Sequence, residues 1–276
     1  MTNIAISLEQ ARRFLVSRQS FAANGSPFRG PEGVAQVISQ LEAVQIDPLC
    51  VFERNHHQVL YNRVQGYRPE WLDQLLYLQK GAFEYYCNAL CILPMADYPY
   101  FRHEWQRQQS SVATRFGWSN EPKAGKKQLL QELIDEGLVA SVSIEGVRRT
   151  YYCPMELTTN LTSESVLPAS QTAVILAPLD NLLWDRDRLD DLWGFNYRWE
   201  VYTPVAKRRY GHYVVPVMHG ERFVGRIELR ADKTLSELRV DNLWLLPSCG
   251  DTLSTIRRAV ELEASYLGLA RINWAK

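Results

Sequence analysis

The chain has 276 residues, 31 basic against 31 acidic side chains, and 46% apolar residues. That length supports one large domain or two small ones with ample core. The charge balance excludes a histone-like or tail-driven nucleic-acid binder but leaves room for a local basic channel.

Taken in chain order, Ser7-Leu8-Glu9-Gln10 reads as a capping box opening a helix through about Gln19. A loop follows around Asn24-Gly25-Ser26-Pro27 and Gly30-Pro31. Pro31 then starts a second helix, with Val34, Val37, Ile38, Leu41 and Val44 at helical spacing. A third helix is predicted from Phe52 to Val64, ending near Gly66, and a fourth from Pro69 to Tyr77. Ala82 to Tyr86 and Ala89 to Leu93 are strand-like, and Met95 to Gln109 reads as a helix. Short helices followed by a small hairpin are the plan of a winged-helix module, here residues 1–118. The polar stretch Ser119 to Gly125 reads as a junction. Lys126 to Glu136 is then a helix stopped by Gly137, and Val139 to Ile144 with Val147 to Cys153 form a hairpin around Glu145-Gly146. Residues 126–165 thus look like part of a second winged helix. From residue 170 the chain is β-rich. Strands are predicted over Ala173 to Ala177, Tyr210 to Met218, Arg222 to Leu229 and Leu235 to Leu245, with a tight turn at His219-Gly220-Glu221. Helices are predicted over Asp185 to Trp193 and Leu253 to Leu267. The fold class expected is α+β: N-terminal winged-helix modules followed by a β-rich, barrel-like C-terminal domain.

The stretch with most chemistry is Val44-Gln45-Ile46-Asp47-Pro48. If it is extended, Gln45 and Asp47 share one face and Ile46 turns to the core. An amide and a carboxylate aimed at one spot can hold and activate a water; the plainer alternative is that both merely turn the chain before Pro48. Arg54, His56, His57 and Arg63 share the next predicted helix, with His56 and Arg63 on nearly one face. They suit either phosphate contacts or a solvated helix with one buried histidine. The densest basic cluster is Lys207-Arg208-Arg209-Tyr210, with Arg222, Arg226 and Arg230 nearby. It suits phosphates or is a solvated loop entering a strand.

Five scattered cysteines, Cys50, Cys87, Cys91, Cys153 and Cys249, read as reduced buried thiols in a cytoplasmic protein, since Met1-Thr2-Asn3-Ile4 does not start a signal peptide. No apolar run approaches the ~20 residues that span a membrane. Cys50, His56, Cys87 and Cys91 lack zinc-finger spacing, so no metal is expected. Asp180, Asp185, Asp187, Asp190 and Asp191 read as helix caps and surface charge rather than metal ligands. Glycine-rich phosphate loops, G-x-S-x-G and H-E-x-x-H are absent from the sequence.

Several blocks together resemble the AlkZ/YcaQ family of winged-helix DNA glycosylases that unhook interstrand crosslinks. They are Ala43 to Pro48 with Arg54-Asn55-His56-His57 and Leu60 to Arg63; Phe83 to Tyr86 with Leu93-Pro94 and Tyr98-Pro99; and Ala177 to Arg186. Further along they are Tyr202-Thr203-Pro204 with Lys207 to Gly211, and Val217 to Glu221 with Val224-Gly225-Arg226. The resemblance implies a catalytic Gln-apolar-Asp motif at Gln45 and Asp47, the form typical of the YcaQ (AlkX) branch. It implies hydrolysis of the N-glycosidic bond of N7-alkylated or crosslinked purines in double-stranded DNA, without a cofactor, by a monomer. It also implies three tandem winged helices before the β-rich domain. Here the matching passes from about Trp118 to near Lys126, so the second module and part of the third are missing from the pattern. A non-catalytic winged-helix DNA-binding protein is the alternative, and a protein-interaction module with no DNA role is a third reading.

Overall fold

The computed structural model describes residues 2–87, 89–102, 123–162, 172–247 and 249–275. In chain order its elements are β1 (Asn3–Ile6), α1 (Leu8–Ser17), α2 (Gly30–Leu41), β2 (Val44–Gln45), α3 (Asn55–Tyr61) and α4 (Pro69–Asp73), which runs on as a π-helical turn over Gln74–Leu78. Then come β3 (Ala82–Tyr86), β4 (Leu90–Pro94), α5 (Lys123–Asp135), β5 (Val139–Ile144), β6 (Tyr151–Pro154), α6 (Thr158–Leu161), β7 (Val174–Ile175) and α7 (Arg186–Trp193). The last are β8 (Val214–His219), β9 (Arg222–Asp232), β10 (Glu237–Leu245), α8 (Leu253–Tyr266) and β11 (Arg271–Trp274). Among the described residues no helix is long and apolar enough to cross a membrane. Of the helix predicted from Met95 to Gln109, Met95–Asp97 is a 3-10 turn and 98–102 are helical, and the remainder lies outside the described residues; so do 119–122 of the predicted 119–125 junction, whose last three residues belong instead to α5.

The residues group into two compact units. One holds Met1–Leu15 and Ala96–Val166, the other Val16–Met95 and Leu167–Lys276. In the first, β5 and β6 pair as the expected hairpin, and β1 adds to β5 in parallel with Asn3 opposite Ser141. The strand β1 escaped the sequence reading because its partner lies more than a hundred residues away. The capping box is present: the Ser7 hydroxyl accepts from the Gln10 N–H at 3.1 Å and the Gln10 amide oxygen accepts from the Ser7 N–H at 2.8 Å.

The second unit builds the site. Its first part runs helix, strand, two helices and a hairpin, with β4 between β2 and β3 in a three-stranded sheet. Val34, Val37 and Ile38 of α2 pack with Val59 and Leu60 of α3 and Leu72 and Leu75 around α4. The helix α3 is shorter than the 52–64 reading, because Arg54 is extended at its N-cap and the chain tightens after Tyr61. Its second part is a curled, open five-stranded sheet in the order β11-β10-β9-β8-β7. The barrel-like expectation thus becomes a half-barrel with β7 and β11 as separate edges. Ile256, Ala259, Val260 and Ala264 of α8 pack with Val215, Val217, Ile227 and Leu229, while Met218 and Phe223 join Leu182, Leu189 and Phe195 in a further cluster. Strands covered on both faces read as near-continuous apolar runs, which is why β8 and β9 stood out in the sequence. The helix α7 starts at Asp185, whose carboxylate accepts from the Arg188 N–H, and ends at Gly194 with φ of 59°.

Buried polar bonds stitch the two parts of this unit together. Arg63 and Asp180, both fully buried, form a two-pronged ion pair at 2.8 and 2.9 Å. Arg63 also donates to the Val59 carbonyl and the Gln19 amide oxygen. Gln58 donates to the Ile175 carbonyl and to the Glu263 carboxyl at 2.6 Å, and Asn62 donates to Ile175 as well.

Candidate active site

The chain leaves α2 through Glu42, which holds a positive φ of 63°. It then runs extended: Val44 lies opposite Ile92 and Gln45 opposite Cys91, and the Ile46 N–H donates to the Leu90 carbonyl at 2.8 Å. Val44 is fully buried and Ile46 packs on the same apolar cluster. Alternation therefore sends Gln45 and Asp47 to the other face, as the sequence pattern predicts. Asp47 is 8% exposed, and its Oδ1 accepts from the Leu49 N–H at 2.9 Å across the Asp-Pro-Leu turn. That bond fixes the carboxylate's orientation and occupies one of its oxygens.

Both residues line a cleft of about 570 Å³, within the size range of small-molecule sites. The rest of its lining comes from segments 178–186 and 197–203, including Leu179, Trp184, Arg186, Arg198, Trp199 and Tyr202. Asn55, 1% exposed, joins these walls: its Nδ2 donates to the Gln45 carbonyl at 2.8 Å, and its Oδ1 accepts from the Leu179 N–H at 2.9 Å. The Asn181 amide donates to the Ala43 carbonyl at 2.8 Å. The block from Ala177 to Arg186 therefore holds the Gln-Ile-Asp strand in place.

The other sequence candidates divide sharply. Among the described lining residues of the cleft are none of Arg54, His56, His57, Arg63, Lys207, Arg208, Arg209 or Tyr210. Arg54, Lys207 and Arg209 are exposed and Arg208 and Tyr210 half-buried. Arg63 is not a surface cation: it is enclosed, and its charge is spent on Asp180. His56 is buried, and burial, then the neighbouring His57 and Arg54, push its pKa down to about 3. It is neutral near pH 7 and does not present a charge to a phosphate. His57 is half-buried, lowered chiefly by burial, and its Nδ1 lies 2.8 Å from the Tyr67 hydroxyl. Of the basic patch, Arg226 is also interior, sandwiched over Phe195 at 4.2 Å and Tyr210 at 4.6 Å.

The basic loop has a built support. The Glu200 carboxylate accepts from the backbone N–H groups of Arg209 and Tyr210 at 2.9 Å and of Gly211 at 3.4 Å. Desolvation opposes its charge, but those donors and the nearby Arg208 outweigh it and lower its pKa. Arg208 donates its Nε to the Thr203 carbonyl. Among the cysteines, Cys91 and Cys153 are buried as expected, whereas Cys50 is exposed because it follows the Pro48 turn. Among the described residues no group of three or more His, Cys, Asp or Glu is placed to hold a metal.

Trp184, Arg186, Arg198, Trp199 and Tyr202 carried no role in the sequence reading. Trp184, Arg186 and Tyr202 fall within the matched blocks, and Arg198 and Trp199 within an aromatic-basic run, Tyr197-Arg198-Trp199, without helical or strand periodicity.

The whole fold is similar to the solved Streptomyces sahachiroi DNA glycosylase AlkZ, with a TM-score of 0.57 at 13% identity, over 99% of this chain and 100% of that one. At that identity the likeness establishes a shared architecture. The family model described as DNA glycosylase AlkZ-like matches residues 38–124 and 110–269, spanning both walls of the cleft. The chain belongs to the AlkZ-like DNA glycosylase family.

Proposed function

We propose that this protein is a monofunctional DNA repair glycosylase that hydrolyses the N-glycosidic bond of N7-alkylated purines, including crosslinked ones, in double-stranded DNA. The observation that carries the proposal is that Gln45 and Asp47 lie side by side on one open cleft. A purine alkylated at N7 is already cationic and leaves as a neutral base, so the enzyme's task lies at the sugar. Positive charge develops there as the bond breaks. Asp47, held by the Leu49 N–H, stabilises that charge or deprotonates the incoming water, and the Gln45 amide positions the water.

The order helix–strand–helix–helix–strand–strand over residues 30–94, with the first strand beside the last, supports a winged-helix module carrying the motif in residues 1–118. The helix and hairpin in 126–165 support a partial winged-helix remnant before the β-rich residues 170–276. Exposed Arg54, Lys207 and Arg209, with Arg208, Tyr210 and His57 beside them, would meet the DNA backbone. The enzyme would work as a cytoplasmic monomer without a cofactor.

The test is release of N7-methylguanine from alkylated duplex DNA by the wild type and by Asp47→Asn. Release by the wild type alone supports the proposal; equal rates reject it. One observation favours a second reading, a non-catalytic DNA-binding protein: Asp47 is 8% exposed and already caps a backbone N–H. A wild type that binds duplex DNA and releases no base would select that reading.

A further inference from the structure

Trp184 is one of the two exposed large aromatic side chains lining the cleft; Tyr202 is the other. A lone exposed tryptophan is ordinary on a protein surface. This one is pinned. Its Nε1–H donates to the Leu179 carbonyl at 2.9 Å. The Leu179 N–H donates to Asn55 Oδ1, and Asn55 Nδ2 donates to the Gln45 carbonyl. A chain of three hydrogen bonds thus runs from the indole to the backbone of the motif strand. The first bond lies in the plane of the indole, so it sets the ring's orientation and leaves its faces uninvolved. Trp184 remains 38% exposed.

We infer that Trp184 is a positioning residue that stacks the cationic nucleobase beside Asp47. The inference rests on the glycosylase reading and names the group that selects a charged lesion over an ordinary base. A cation over an indole face is attracted by the ring quadrupole, and tryptophan is the best of the aromatic residues at this. An uncharged purine gains stacking only. The pinned ring therefore rewards a positively charged base, whereas a free indole would lose part of that gain to ordering its rotamer. The distance from ring to base is set by the same bonds that set Gln45, so the ring and the water-holding amide stay in register.

The test separates binding from chemistry. A duplex carrying one N7-methylguanine on a 2′-fluorinated sugar keeps its glycosidic bond, because the fluorine disfavours the sugar cation. Affinity for it is compared with that for the identical undamaged duplex. Wild type should prefer the charged lesion. Trp184→Ala should lose about tenfold of that preference, its affinity for the charged lesion falling further than its affinity for undamaged duplex. Trp184→Phe keeps a ring face without the N–H donor and should recover part of it. Thermal melting of each variant shows that the fold persists. An unchanged preference in Trp184→Ala overturns the inference, as does a wild type with no preference. A wild type that prefers the lesion but releases no base from ordinary alkylated duplex leaves this inference standing and removes the catalytic proposal.

Discussion

Replacing Asp180 by asparagine preserves the shape of the buried ion pair and deletes its charge. The Arg63 guanidinium would then sit with 0% side-chain exposure opposite a neutral amide. Two charge-assisted bonds, at 2.8 and 2.9 Å, are lost or weakened, and an amide NH₂ faces a cation that has no lone pair to offer. The Val59 carbonyl and Gln19 amide remain as acceptors, but neither carries charge. Removing one partner of a buried pair costs about 3–5 kcal/mol. For a unit of this size each kcal/mol lowers the melting temperature by about 2–4 °C, so a fall of roughly 6–20 °C is expected. Differential scanning calorimetry on Asp180→Asn, Arg63→Met and the double variant Arg63→Met/Asp180→Leu measures it. The double variant, which buries no charge, should be more stable than either single one. A single variant melting within about 2 °C of the wild type, or a double variant no better than the singles, would refute the assignment of these charges to the interior.

Asp47→Asn should abolish base release with duplex affinity nearly intact, and Gln45→Ala should slow release by misplacing the water; single-turnover kinetics beside a binding titration check both. Changing Lys207, Arg208 and Arg209 together to alanine should weaken binding and flatten the log–log salt dependence by about 2–3, one phosphate per side chain; an unchanged slope removes this loop from the DNA surface. Burial pushes the Glu263 carboxyl from 4.5 up to about 8, against the pull of the Gln58 amide. Between those values the native state keeps a proton that the unfolded chain releases. Stability should therefore fall as pH rises from 4.5 to 8, by about 5 kcal/mol at most, and Glu263→Gln should flatten that limb in urea titrations. His56 works in the opposite sense. Its folded pKa of about 3 lies below the ordinary 6.5, so stability is lost as pH falls through 6.5 toward 3. His56→Gln should relieve that acid limb.

The local features were legible in the sequence. Ser7 and Gln10 cap α1, Pro31 opens α2, and the alternation over Val44 to Asp47 turns Gln45 and Asp47 together. Each depends on neighbours within a few positions. What depended on distant partners was not legible. Arg63 looked like a phosphate contact because its partner lies 117 residues on, and a lone arginine in a predicted helix is more often solvated than buried. Asp180 was grouped with the aspartates that follow it; like Asp185 it caps a turn, accepting from the Leu182 N–H, but it does so in the interior rather than as surface charge. The pinned Trp184 depends on Leu179 and Asn55, and no spacing rule joins position 55 to position 179. The lining run 197–203 belongs to no helix or strand, and pattern reading has least to say about such segments.

The buried bonds of the larger unit also set an order of events at the ribosome. Asn55 and Arg63 are made first, yet their partners Leu179 and Asp180 follow 124 and 117 residues later, and Glu263 lies 205 residues beyond Gln58. Until then a nascent chain holds an arginine destined for the interior with no carboxylate to meet it, and an asparagine with half its bonds unmade. Closing loops of that length is entropically costly and slow relative to local helix formation. The motif strand therefore gains its second wall only once residues 178–203 have followed it. An N-terminal fragment bearing the whole Gln-Ile-Asp sequence would lack the cleft that gives it meaning.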